Sequence, residues 1–413
     1  MWLVNANVVD VLTGEKLLDR AVHIGHDGRI AEVASAPPVG ESDGEVIDVA
    51  GRWLLPGLIS CHTHLSVVFP FSETDENEDP AITAYRSATR AHQALQAGIT
   101  TIRCVHEQNR ADLSLRRAAA RGWIKVPRIR GAGRAISTVG GHGEGSATAY
   151  ATGEEEFYRA AAAEIEAGAD HVKIFINGGL AKAGEHYDAQ EMQDGEIRGA
   201  VRAANDRDKY VVAHSGDSVA IRQALAQGVT SFEHAYRLDE DTARMLVGPD
   251  LFLTPTLCVT RSESWMRANH FQEHSIQQAL AAADDHLLSI QRAIRAGVTL
   301  VNGTDYPPGD LVDGVPAAVH EMLLMADAGL TPLQALQSIS SHAARLLRID
   351  DHVGQVRPGY VGDLVAVDGD PLQDLDALRN ISLVIQGGQV VRGSTVAGAG
   401  AGAGAGVGVG GAA

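Results

Sequence analysis

The sequence predicts an α/β chain of the (β/α)8, or TIM-barrel, class, joined to a small composite β-sandwich built from both chain ends. Three observations lead there. Four junctions share one form, in which an Ala- and charge-rich helical pattern ends on glycine and a β-rich run follows at once: Ala97-Gly98-Ile99-Thr100, Ala167-Gly168-Ala169-Asp170, Gln227-Gly228-Val229-Thr230 and Ala296-Gly297-Val298-Thr299. Glycine takes the left-handed conformation that closes a helix, and helices alternating with strands are what a parallel sheet needs. Eight strand candidates can be counted: Leu58 to His64, Thr101 to Val105, Arg128 to Gly131, His171 to Ile176, Tyr210 to His214, Ser231 to His234, Phe252 to Leu257 and Thr299 to Asp305. His64, Lys173, His214, His234 and Asp305 all lie toward the C-terminal ends of these runs, the face on which barrels carry active sites. An open doubly wound sheet has the same periodicity and stays as the alternative.

Taken in order, residues 1–55 alternate apolar and polar positions between tight turns at Thr13-Gly14 and Asp27-Gly28, as short antiparallel strands do. Residues 351–394 repeat the pattern, with strands at Leu364 to Asp368, Ile381 to Gln386 and Val390 to Arg392 around a Gly387-Gly388 turn. Each group is too small for a core of its own, so the two are expected to form one sandwich. Residues 56–350 form the barrel. Thr331-Pro332 supplies the cap and first turn of the helix after the last strand. The Gly/Ala-rich stretch 395–413 is expected to be disordered, because its small side chains bury too little surface to offset ordering entropy.

Side chains alternate faces along a strand, so His62 and His64 point the same way, as a divalent metal pair would, while Cys61 points away. Lys173 stands in the apolar run His171-Val172-Lys173-Ile174-Phe175-Ile176. If Val172, Ile174 and Ile176 face the helices, Lys173 faces the interior, where a free ammonium is costly. It must be neutral, ion-paired or modified. His214, His234 and Asp305 each read singly as a rim residue or a helix cap; together with His62, His64 and Lys173 they read as one constellation.

Pro56-Gly57 leading into His62-Thr63-His64, the buried lysine, two separate histidines and a late aspartate resemble the amidohydrolase superfamily of metal-dependent hydrolases. The run Gly131 to Gly143 resembles the branch of Xaa-Pro dipeptidases, metallo-carboxypeptidases, imidazolonepropionase-like proteins and ochratoxin-type amidases. The resemblance implies two divalent ions: His62, His64 and Asp305 would hold the more buried one, His214 and His234 the other, with Lys173, carboxylated by carbon dioxide, bridging them. Nitrogen and oxygen donors without thiolate suit Zn²⁺, although Mn²⁺, Co²⁺ or Ni²⁺ fit the same set. It also implies attack on an amide by metal-activated hydroxide, with Asp305 as proton carrier and His142 as a catalytic and substrate-binding residue. Tyr187 is a further substrate-binding candidate. Dipeptides or N-acyl amino acids are the expected substrates.

A net charge of −18 disfavours nucleic acid and anionic lipid as partners. No apolar run is long enough to span a bilayer, and the N-terminal residues lack the pattern of a signal peptide. Three scattered cysteines form no disulfide framework and fit a reducing cytoplasm. A homo-oligomer is the expected state. Two rivals stay open: a mononuclear deaminase or cyclic-amidine hydrolase of the same superfamily, which would not need Lys173, and a silent barrel scaffold, which would not need any ligand.

Overall fold

The computed structural model describes residues 1–35, 45–180 and 184–393. The expected disordered tail, 395–413, lies outside the described residues. Both chain ends contribute to one eight-stranded sheet, ordered Gln389–Arg392, Ile381–Gln386, Leu364–Val367, Trp53–Pro56, Trp2–Val9, Lys16–Ile24 and Ile30–Ala34, with Val46–Asp48 also pairing Trp2–Val9. Trp53–Pro56 stitches the halves together, parallel to Trp2–Val9 and antiparallel to Leu364–Val367. Its alternation divides two cores: Leu54 packs with Leu3, Val8, Ile24, Leu364 and Ala366, while Trp53 and Leu55 join Val365 and Val367 against helical residues such as Ala94 and Leu336. The two foreseen glycine turns touch. A Cβ on Gly28 would lie 2.3 Å from the Gly387 carbonyl oxygen, and Gly28 also has φ +75°, so no other residue fits there without strain.

The central part alternates helices with parallel strands in two sheets. One holds Leu58–Thr63, Ile99–Cys104 and Arg128–Gly131; the other runs Ala149–Tyr150, Ile136–Ser137, Val172–Phe175, Val211–Asp217, Ser231–Arg237 and Phe252–Thr254. Seven of the eight expected strands are therefore present, and the short strands Ile136–Ser137 and Ala149–Tyr150 were not foreseen. The eighth candidate, 299–305, makes discrete bonds rather than a regular ladder. The Val301 N–H donates to the Leu253 carbonyl, the Cys61 N–H to Asn302, and the N–H groups of Thr304 and Asp305 both to His62. Gly303 permits this close approach, since a Cβ there would meet the His62 backbone nitrogen at 2.5 Å. On the other border the Asp170 N–H donates to the Gly131 carbonyl at 2.7 Å.

Several strand ends differ from expectation. The first strand stops at Thr63, leaving His64 just beyond it. The strands bearing His214 and His234 run on to Asp217 and Arg237, so neither histidine ends its strand; the ladder between them continues through a register shift after Ser215. The strand at Phe252 ends at Thr254, before Thr256, whose φ is +53°. Val172, Ile174 and Ile176 pack outward with helical residues Phe157, Ile197 and Ala200, which turns Lys173 inward as its alternation required.

Candidate metal centre and active-site cavity

His62, His64, Lys173, His214, His234 and Asp305 line one cavity of about 450 Å³, together with His142. His62, His64 and Asp305 each offer a ligand atom within 4.8 Å of the others. Asp305 Oδ1 lies 2.9 Å from Nε2 of both histidines. The ring of His234 stands 5.0 Å from that of His62 and 4.5 Å from that of His214. Four imidazoles thus form a continuous chain around the buried Lys173 amine, whose Nζ has no hydrogen-bond partner.

Each imidazole commits one ring nitrogen to the protein: His62 Nδ1 to Glu233 at 2.5 Å, His64 Nδ1 to the His106 carbonyl at 3.0 Å, His214 Nε2 to the Gly178 carbonyl at 3.0 Å and His234 Nδ1 to the Thr256 hydroxyl at 2.7 Å. Such partners fix ring orientation and tautomer, and direct the remaining nitrogen to a metal. His62 is held between two carboxylates, Glu233 and Asp305, and His64 between a carbonyl and Asp305. Acceptors on both sides of a ring call for an imidazolium or for a cation between Nε2 and Asp305. The donor set therefore fits a divalent metal.

Charges below the cavity are arranged with the same economy. Burial pushes the Glu233 carboxyl up, but the Arg103 guanidinium at 2.8 Å and His62 override it and hold it at about 2. Arg103 is fully buried; it also donates to the Ser231 hydroxyl and the Cys61 carbonyl. Burial, opposed by Glu233 and Asp305, brings the Lys173 ammonium down to about 8, within reach of the neutral, nucleophilic form. Burial likewise raises the Asp305 carboxyl, yet His62 and His64 bring it well below the usual carboxylate range. Burial drives His214 and His234 well below the ordinary imidazole value, so both are neutral and able to donate a lone pair.

Glu233 and His234 are chain neighbours that serve one site, although a regular strand would send them to opposite faces. His234 has φ +71° and Ala235 φ +55°, and this left-handed step breaks the alternation. Non-glycine residues hold such values only where surroundings enforce them. Here His286 Nε2 lies 3.1 Å from the His234 carbonyl and 3.0 Å from that of Pro255. Two buried glutamates anchor the loops above the strands: Glu107 accepts from the N–H groups of Leu65 and Ser66, and Glu321 from those of Leu257 and Cys258.

His142 lines the cavity, stacks on His214 with ring centres 4.4 Å apart, and places Nδ1 2.8 Å from Glu185 Oε1. Tyr187 does not line it. The Tyr187 backbone packs over Gly216, and its ring leans on Tyr236 at 5.5 Å. Arg134 is bound to Glu164. In the acidic run 73–79, Glu76 accepts from the Ala147 N–H and Glu78 pairs with Arg86, so part of it ties loops together. Arg103, Glu107, Glu233 and Glu321 went unrecognised in the sequence, and His286, in a helical pattern, read there as structural. Arg103 carried the same signal as Lys173, a cation inside an apolar strand; the helical Glu321 and His286 carried none. All three cysteines are buried and free, and no helix among the described residues is long and apolar enough to cross a membrane.

Residues 53–391 match the model of the amidohydrolase family. Ochratoxinase of Aspergillus niger is 26% identical over 376 residues, covering 82% of this chain and 76% of that protein. A solved prolidase, in complex with N-methylphosphonate-L-proline, superposes with a TM-score of 0.86 at 27% identity, over 95% of this chain and 99% of the other. A Xaa-Pro dipeptidase with methionine in its active site gives 0.85 at 25%, with the same coverage.

Proposed function

The chain belongs to the amidohydrolase family and is a hydrolase of carbon–nitrogen bonds; from that premise we propose a binuclear metal-dependent enzyme that cleaves an amide or peptide-like bond, with dipeptides or N-acyl amino acids as substrates. In this reading residues 56–350 close into the (β/α)8 barrel, with 299–305 as its eighth stave, and residues 1–55 and 351–394 form the composite sandwich. The bonds from 299–305 to both neighbouring strands support closure.

His62, His64 and Asp305 would hold one ion and His214 and His234 a second, with carboxylated Lys173 shared between them. When bound, two such ions, Zn²⁺ by donor type, supply Lewis-acid polarisation of the scissile carbonyl and of water. The chain's own residues do the rest. Asp305, ionised beside the imidazoles, accepts the proton lost by the attacking water and returns it to the leaving nitrogen, without which an amide does not break. Arg103 keeps Glu233 charged, and Glu233 keeps the His62 ring turned toward Asp305. His142, steadied by Glu185, meets the substrate carbonyl from the His214 side.

The observation that carries this reading is the Lys173 amine, buried and unbonded among four imidazoles and a carboxylate. Metal analysis of the purified chain tests it: about two equivalents, with a mass or density increment of one carbon dioxide on Lys173, is the expected result. One equivalent and an unmodified Lys173 would support the mononuclear reading, which is favoured by one fact: among the described residues, only His62, His64 and Asp305 form a compact acid and imidazole cluster. A metal-free chain without activity would leave the scaffold.

A further inference from the structure

One wall of the cavity bears none of the groups used so far. Phe69 and Phe71 come from the loop after the first barrel strand, Met266 and Phe271 from the helical insertion after Phe252–Thr254, and Tyr306 directly follows Asp305; all line the cavity. Their rings form one assembly. Phe69 lies 5.3 Å from Phe71 and 6.2 Å from both Phe271 and Tyr306. Behind them Trp265 stacks on Tyr306 at 3.7 Å and meets Phe69 edge-on at 5.1 Å. Trp265 is itself fixed, its indole N–H donating to Asp310 at 3.3 Å, and the Tyr306 hydroxyl donates to the Cys258 carbonyl at 3.2 Å. Both polar tips thus turn away from the cavity, and the wall presents hydrocarbon. Phe69, Phe71 and Phe271 remain half-buried, leaving ring surface that a ligand would cover.

We propose that this wall is a subsite for a bulky apolar or aromatic substituent on the leaving nitrogen, so that the substrates are amides of such amines. The proposal rests on the amide-hydrolase reading above, which sets the polarity of the site. His142, the carbonyl contact, stacks on His214 at one side, whereas Asp305, which serves the leaving nitrogen, is joined to Tyr306 at the other. The group carried by that nitrogen therefore faces the rings. Buried there, a phenyl group is removed from water against surfaces that make no polar demand on it, and offset or edge-on ring contacts add to the gain. A methyl or ethyl group leaves the same wall wet. Rings already locked by Trp265 need no ordering on binding, so little of the gain is lost.

The test compares kcat/KM for the phenethylamide and ethylamide of one acyl group, whose leaving amines differ little in basicity, on the metal-loaded full chain. A preference of about 100-fold for the phenethylamide is expected. In Phe271→Ala that ratio should fall about ten-fold, and in Phe271→Leu by less, since leucine restores part of the apolar surface. The ratio cancels general losses of folding or metal, and Phe271→Leu keeps the test readable if the alanine variant is unstable. Equal rates on the two amides, or a preference untouched by both variants, would overturn the subsite while leaving amide hydrolysis standing. Failure to cleave either amide, or any dipeptide or acyl amino acid, would overturn the proposed function and the subsite with it.

Discussion

The two walls of the cavity are built by different means. The histidine wall is assembled from strands, and each of its imidazoles is tied by a hydrogen bond to a group from another segment: Glu233, the His106 and Gly178 carbonyls, and Thr256. The aromatic wall comes from a loop and a helical insertion, and its order comes from ring stacking with two hydrogen bonds at its back. Directional, charged contacts in a dry interior tolerate little displacement, whereas apolar packing accepts substitutions of similar volume. In the proposed reading, chemistry belongs to the first wall and selection to the second.

The sharpest way to break that division is to strike the histidine wall. Lys173→Ala is expected to lower kcat/KM by about 10³-fold or more and to reduce bound metal, read by steady-state kinetics and metal analysis together. Full activity in this variant would remove the basis of the binuclear mechanism. A milder blow falls through Glu233→Gln, which keeps the volume but not the charge that Arg103 and His62 share. Metal affinity should weaken about 10- to 100-fold, measured by competition with a chelator. An unchanged affinity would mean that the Arg103–Glu233 pair is only structural. On the aromatic side, the effect is the roughly ten-fold loss of discrimination given above for Phe271→Ala.

The smallest effect concerns two buried glutamates, Glu233 and Glu321, in which the same residue type behaves oppositely. Glu233, next to Arg103, is held at about 2, while Glu321, buried with two N–H donors and no ion pair among the described residues, is pushed up to about 7. Folding therefore favours the protonated form of Glu321. The stability it contributes is full below the ordinary glutamate value of 4.5 and is lost as pH rises through about 7. Glu233 runs the other way: its contribution is present above 4.5 and is lost only as pH falls through about 2. The buried histidines, among them His106 held at about 3 and His286 at about 4, make stability rise with pH below the ordinary imidazole value, so Glu321 is read as a difference. Thermal unfolding between pH 4.5 and 7 should show stability rising more steeply with pH in Glu321→Gln than in the wild type. A variant with the wild-type slope would show that Glu321 is not the group responsible.

Periodicity and residue type were enough to locate seven of the strands and the association of the two chain ends; the six side chains that meet in one cavity were picked out together with the family resemblance. These features were legible because alternation is local: Val172 and Ile174 could only pack outward if Lys173 pointed in, and His62 and His64 share a face by spacing alone. Tertiary structure decided what no window of sequence contains. The eighth segment departs from a ladder because Gly303 presses on His62. His234 joins Glu233 on one face through a left-handed step that His286, more than fifty residues away, helps to hold. Glu321 anchors a loop from a distant helix, and Phe69, Phe271 and Tyr306 become one surface only when three separated segments converge. Orientation within a strand is set by neighbours in the chain; hydrogen-bond partners, buried charges and cavity walls are set by neighbours in space.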